Sequence, residues 1–142
     1  MEIDEDCIRL SKESREEDIQ DQIKWAVQRV QNGSDERISW SIDYYLNENM
    51  PKWLTALKPV EGKIQGIPVA MYPECNGTKY SNEDDLNARN KWSEILDIII
   101  AGFEAAKQIE DKWVQESEDN ELWKAFNFGM DNFKKYYFCL WD

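Results

Sequence analysis

Trp92, Ile95, Leu96, Ile99, Phe103, Ala106, Ile109 and Trp113 recur at intervals of three and four residues. A strand changes face at every residue, so only an α-helix of 3.6 residues per turn gathers such a series on one side. The run Ile98-Ile99-Ile100 is β-branched, yet the same periodicity flanks it and carries the helix through. A stripe this wide must be buried against another element, which limits the chain to layered architectures. Leu122, Phe126, Phe133, Tyr137, Leu140 and Trp141 form a second such series. It predicts a packed helix that starts after Ser117-Glu118-Asp119-Asn120 and runs to the C-terminus.

Upstream, Ser14-Arg15-Glu16-Glu17 has the form of a capping box. Ile19, Ile23, Ala26 and Val30 follow at spacings of four, three and four, one apolar stripe that Asn32-Gly33 brings to an end. A second helix is expected from Ser34 or Asp35 through Ile38, Ile42, Tyr45, Leu46, Trp53, Leu54 and Leu57. Pro51 lies inside it and removes one amide, which predicts a kink or break near Asn49-Met50. Ser81-Asn82-Glu83-Asp84 caps the helix that carries the Trp92 stripe, with acids suited to its positive end. Residues 1–12 are weakly patterned and expected as a flexible arm. Residues 58–80, punctuated by Gly62, Gly66, Pro68, Pro73 and Gly77, are expected as a loop, a short hairpin or a lid. The sum is an all-α, four-helix bundle-like single domain over residues 1–142, with a Pro/Gly-containing insertion between helices 2 and 3.

Asp and Glu number 29 against 17 Lys and Arg, a formal charge of −12. Such a balance argues against a non-specific grip on nucleic acid, which needs a basic face to displace counterions. It leaves open a protein partner with a basic surface. There is no histidine, and Cys7, Cys75 and Cys139 share no metal-ligand spacing. Neither a metal nor another cofactor is therefore expected, and the usual general base is missing. The acidic start Met1-Glu2-Ile3-Asp4-Glu5-Asp6 is unlike a signal peptide, and no stretch reaches the ~18 apolar residues of a membrane helix. A cytoplasmic protein with no membrane role is expected.

Four blocks also carry a resemblance. Trp40-Ser41-Ile42-Asp43, Pro51-Lys52-Trp53-Leu54, the stretch from Trp92-Ser93-Glu94-Ile95-Leu96-Asp97 to Phe103-Glu104, and the closing Gly129-Met130-Asp131-Asn132-Phe133-Lys134-Lys135-Tyr136-Tyr137-Phe138-Cys139-Leu140-Trp141-Asp142 occur in that order. Over about residues 38–142 the chain resembles a large family of small acidic bacteriophage accessory proteins. Lys52-Trp53-Leu54 stands where many members carry Arg-Leu after the proline. The resemblance implies a counter-defence role in the host bacterial cytoplasm, and makes sequestration of a small (cyclic) nucleotide immune signal, without turnover, the first reading.

A nucleotide sponge needs aromatic faces for bases and cations for phosphates, each stacked base contributing roughly 1–3 kcal/mol. The candidates are Trp40, Asp43, Tyr44, Tyr45, Trp53, Arg89, Lys91, Trp92, Lys134, Lys135 and Tyr136. The plainer reading makes the tryptophans core anchors, the lysines solvated and Asp43 a cap or ion-pair partner. The alternative function is an acidic protein-protein inhibitor of a host defence factor. A third reading takes Glu83-Asp84-x-x-Asn87 and Glu94-x-x-Asp97 as the Mg²⁺ motif of an all-α nucleotide pyrophosphohydrolase, although Asn87 replaces a carboxylate. The surplus of aromatics and the wide stripes predict a homo-oligomer.

Overall fold

The computed structural model describes residues 5–63, 66–74 and 79–141, with side chains from Lys12 onward. Among these, secondary structure consists of α1 (Glu5–Asn32), α2 (Ile42–Ala56), α3 (Asn82–Lys112), α4 (Glu121–Lys135) and short 3-10 turns at Glu36–Ser39, Val69–Met71 and Tyr137–Cys139. No strand occurs among the described residues. The all-α class with four helices is as expected. The chain forms two compact units, Met1–Ile42 and Asp43–Asp142.

In the first unit α1 is already helical at Glu5. Residues 5–12, expected as an arm, are thus helical, and residues 1–4 lie outside the described part. Ser14 cannot cap because its amide neighbourhood is interior to a helix that started earlier. At the other end Gly33 takes φ 77°, and its N–H bonds the Arg29 carbonyl at 3.0 Å. Asp35, its side chain fully enclosed, then accepts from Arg29 Nη1 and from Arg37 Nη2 and Nε, each at 2.8 Å. The Arg37 hydrogen bonds outweigh burial and hold this carboxyl far below the usual range. Asp35 also caps the 3-10 turn by accepting from the Arg37 N–H. This turn delays the second helix to Ile42, where the sequence suggested Ser34 or Asp35.

The second unit is centred on Leu54, Met71, Ala88, Trp92, Ile95, Leu96, Ile99 and Phe103. α3 begins with a full capping box: the Ser81 hydroxyl accepts from the Asp84 N–H at 3.1 Å and the Asp84 carboxylate from the Ser81 N–H at 3.0 Å. α2 runs unbroken through Pro51. Packing of Leu54, Leu46 and Met50 against the core holds the flanking turns and offsets the amide that Pro51 removes. α3 and α4 approach closely at Gly102 and Gly129, where a Cβ on Gly102 would stand 2.7 Å from the Gly129 Cα and one on Gly129 2.5 Å from the Gly102 Cα. Phe103 meets Phe133 edge-on at 5.4 Å.

The chain does not stay α-helical to its end. After Lys135 the Cys139 N–H bonds the Tyr136 carbonyl at 2.9 Å, a 3-10 turn. The tighter winding changes the phase of the apolar series. Cys139 and Leu140 reach the core, while Phe138 and Trp141 are exposed. The expected terminal stripe is therefore only half packed, and Asp142 lies outside the described residues. No helix among the described residues is long and apolar enough to cross a membrane.

Candidate functional site

α2 leads into a turn that is pinned to α3 by an ion pair from Lys58 Nζ to Asp97 Oδ1 at 2.6 Å. The Lys63 N–H then bonds the Val60 carbonyl at 3.2 Å, and Gly62 supplies the positive φ of 81° that this reversal needs. Facing the turn are Leu86, Arg89, Asn90 and Ser93 of α3. Their spacing of three, four and seven puts them on one side of the helix. The two together line an open groove of about 600 Å³ with Pro59, Val60, Glu61, Gly62 and Lys63 on the turn side.

Charge distinguishes this groove. Lys24, Arg29, Arg37, Lys58, Lys107 and Lys124 are all tied to carboxylates. Among the described residues Arg89 and Lys63 are in no such pair; the same is true of Lys52, Lys91, Lys134 and Lys135, but Arg89 and Lys63 line one groove together. Arg89 is half-buried and Lys63 exposed. The Arg89 charge is felt at Tyr72, whose phenol is pushed above its ordinary value by burial and then by Asp85, with Arg89 opposing. With Asn90 and Ser93 as hydrogen-bond groups and Leu86 and Val60 as walls, the groove has the donors a phosphate-bearing anion requires. Two cations face one acid, Glu61, in a chain of net charge −12.

The described residues of the rest of this segment, 66–74 and 79–80, are anchored. Met71 is buried in the core, and Tyr72 stacks on Tyr80 with centroids 4.5 Å apart. Residues 64–65 and 75–78, where the insertion was expected to act as loop or lid, lie outside the described residues.

The other sequence candidates are dispersed. Lys91 is two residues from Arg89, which turns it away from the groove face, and it is exposed. Trp92 is wholly enclosed, with no face left for a ligand. Its indole N–H has no acceptor among the described residues. Tyr136 meets the Trp92 edge at 6.2 Å, and the Lys135 ammonium lies 5.2 Å from the Tyr136 ring; Lys134 is exposed. Trp40 belongs to the first unit, where it meets Trp25 edge-on at 5.9 Å beneath an Arg37 guanidinium 4.4 Å from the Trp25 ring. Tyr44 and Trp53 are half-exposed on α2, Trp53 next to Tyr45 at 6.4 Å. None of these aromatics lines the Arg89 groove. Among the described residues no three Cys, Asp or Glu side chains gather as a metal site. Asp97 of the pyrophosphohydrolase-like motif is paired with Lys58.

Asp43 enters a different arrangement. It shares a hydrogen bond with Glu110 across α2 and α3, and with Asn47, Ala106, Ile109, Trp123 and Phe126 the pair lines a cavity of about 230 Å³. The bond to Asp43, then burial, then the Asp43 charge push the Glu110 carboxyl up to about 7, with Asn47 opposing. Nothing in the local sequence marks Glu110, because its partner comes from another helix. Leu86, Asn90 and Ser93 could have been found from their spacing around Arg89; the turn opposite them could not.

No family profile, curated protein or solved structure matches the chain.

Proposed function

We propose that this chain is a phage-encoded counter-defence protein that works by binding, sequestering a small cyclic nucleotide without turnover. The observation that carries the reading is that two cations outside any ion pair among the described residues, Arg89 and Lys63, line one groove of a protein of net charge −12. A phosphate there would gain charge-assisted hydrogen bonds worth about 1.5–3 kcal/mol each. Long-range steering works against an anion approaching a net charge of −12, so affinity is local and tolerates moderate salt. The resemblance to phage accessory proteins supplies the biological setting. The test is mass spectrometry of small molecules released by heat from protein expressed together with active bacterial immune nucleotide cyclases. An intact cyclic nucleotide near one equivalent per chain is expected, and an empty supernatant would reject sequestration.

A second reading, an acidic inhibitor of a host defence protein, is favoured by Trp113. This residue ends α3 with φ 53°, a conformation suited to glycine, and is 93% exposed. A tryptophan there carries roughly 1–3 kcal/mol of strain without any packing return in this chain. Asp111, Glu116, Glu118 and Asp119 surround it in sequence, so a basic partner with an apolar pocket fits it. Under the nucleotide reading Trp113→Gly leaves the released ligand unchanged; under the inhibitor reading no nucleotide is released at all.

A further inference from the structure

The C-terminal half of α1 leaves an apolar stripe in solvent. Ile19, Ile23, Val27 and Val30 are 57, 52, 47 and 88% exposed, and Ala26 between them is exposed too. Steps of four, three and four from Ile19 through Ile23 and Ala26 to Val30 follow the 3.5-residue repeat of a two-helix seam. The positions flanking that seam are Gln20, Gln22, Val27 and Arg29, without a single acid. In a chain with 29 acids this is the composition of a surface that meets another surface, here one that must tolerate its own charge.

Charge along α1 selects the occupant and its direction. Glu13, Glu16, Glu17, Asp18 and Asp21 crowd the stretch before Gln22, whereas residues 22–32 hold no acid of their own, and Lys24 and Arg29 there are balanced within the same chain by Glu36 and Asp35. Two copies side by side in parallel would set five acids against five. Two copies antiparallel set each acidic stretch beside the charge-balanced stretch of the other, which avoids the acid-on-acid repulsion of the parallel arrangement. Steps centred between Ile23 and Ala26 then place Ile19 opposite the partner copy's Val30, and the small Ala26 lets the helices approach at the middle.

We propose that α1 is the self-association surface of this protein, pairing antiparallel with α1 of a second copy through Ile19, Ile23, Ala26 and Val30. This is independent of which ligand occupies the Arg89 groove. The seam spans two heptads, which places the contact among small, weak interfaces, with a dissociation constant on the order of 10 µM.

Sedimentation equilibrium of the full chain from about 1 to about 300 µM, a range that brackets a weak interface, is expected to show a monomer-dimer equilibrium. Ile23→Lys/Val30→Lys, at exposed positions, is expected to be monomeric throughout with unchanged helical circular dichroism. Orientation is read from a charge exchange. Ile19→Lys alone and Val30→Glu alone each weaken the dimer at least ~10-fold, and Ile19→Lys/Val30→Glu together restore it by facing Lys with Glu. A wild type that stays monomeric, or a lysine double variant that dimerises like wild type, overturns the surface. A charge-exchange variant weaker than both singles overturns the antiparallel direction.

Discussion

Gly129→Ala is expected to lower the melting temperature by on the order of 10 °C or more, from a cost of about 3 kcal/mol. The added Cβ would stand 2.5 Å from the Gly102 Cα and 3.0 Å from both the Gly102 nitrogen and the Ile98 carbonyl oxygen. All three are backbone atoms, so no rotamer change relieves the contact and the helices themselves must part. Parting them loosens the Phe103-Phe133 pair and the partly buried Met130 and Tyr136 on the same side of α4. Gly102→Ala meets the mirror-image obstruction, 2.7 Å from the Gly129 Cα. Thermal melts followed at 222 nm decide the matter. A loss of less than ~2 °C would mean the crossing has slack that the close glycine pair denies.

Stability is expected to fall as pH rises from about 4.5 through about 7, and Glu110→Gln is expected to abolish the fall. The folded-state Glu110 carboxyl titrates near 7, above its ordinary value of 4.5. A raised pKa means the folded form binds the proton more tightly than the unfolded one. Its contribution is therefore complete below about 4.5 and is lost as pH passes through about 7. The shift sets an upper limit of about 3 kcal/mol, and partial solvent exposure brings the expected change nearer 1–2 kcal/mol, or several degrees in melting temperature. The chain has no histidine, so few other groups titrate in that window. Glu110→Gln keeps a donor toward Asp43 without the charge. It is expected to match wild type below about pH 4.5, where both states of Glu110 are protonated, and to exceed it increasingly from there to pH 8. Parallel pH profiles for the two proteins would show that the carboxyl pair is not coupled.

How far the sequence could be read depended on the range over which each interaction acts. The Trp92 to Ile109 stripe and the Ser81 cap are local, and α3 appears with both, its core side filled by Trp92, Ile95, Leu96, Ile99 and Phe103. Ser14-Arg15-Glu16-Glu17 is an equally good local motif. It loses because a helix already propagating from Glu5 costs less to continue than to nucleate again. Glycine at 102 and at 129 reads as a weakness in each helix alone, and only the crossing gives the pair its purpose. The same holds for the candidate site. Arg89 is recognisable as a cation on α3, but its partner Lys63 comes from a turn whose course depends on Gly62 and on the Lys58-Asp97 pair. Trp92 was a candidate on aromatic character, and burial alone removes it from any ligand's reach.

Isothermal calorimetry of the full chain with cyclic dinucleotides and cyclic ADP-ribose isomers tests the central claim most directly. At least one of these is expected to bind with a dissociation constant below about a micromolar, to be recovered unhydrolysed in the presence of Mg²⁺, and to bind at least ~10-fold more weakly to Arg89→Ala, the loss of one charge-assisted contact. Lys91→Ala, whose side chain turns away from the groove, is expected to bind like wild type. Absence of binding across the panel, or an Arg89→Ala isotherm that overlays wild type, would contradict nucleotide sequestration in this groove.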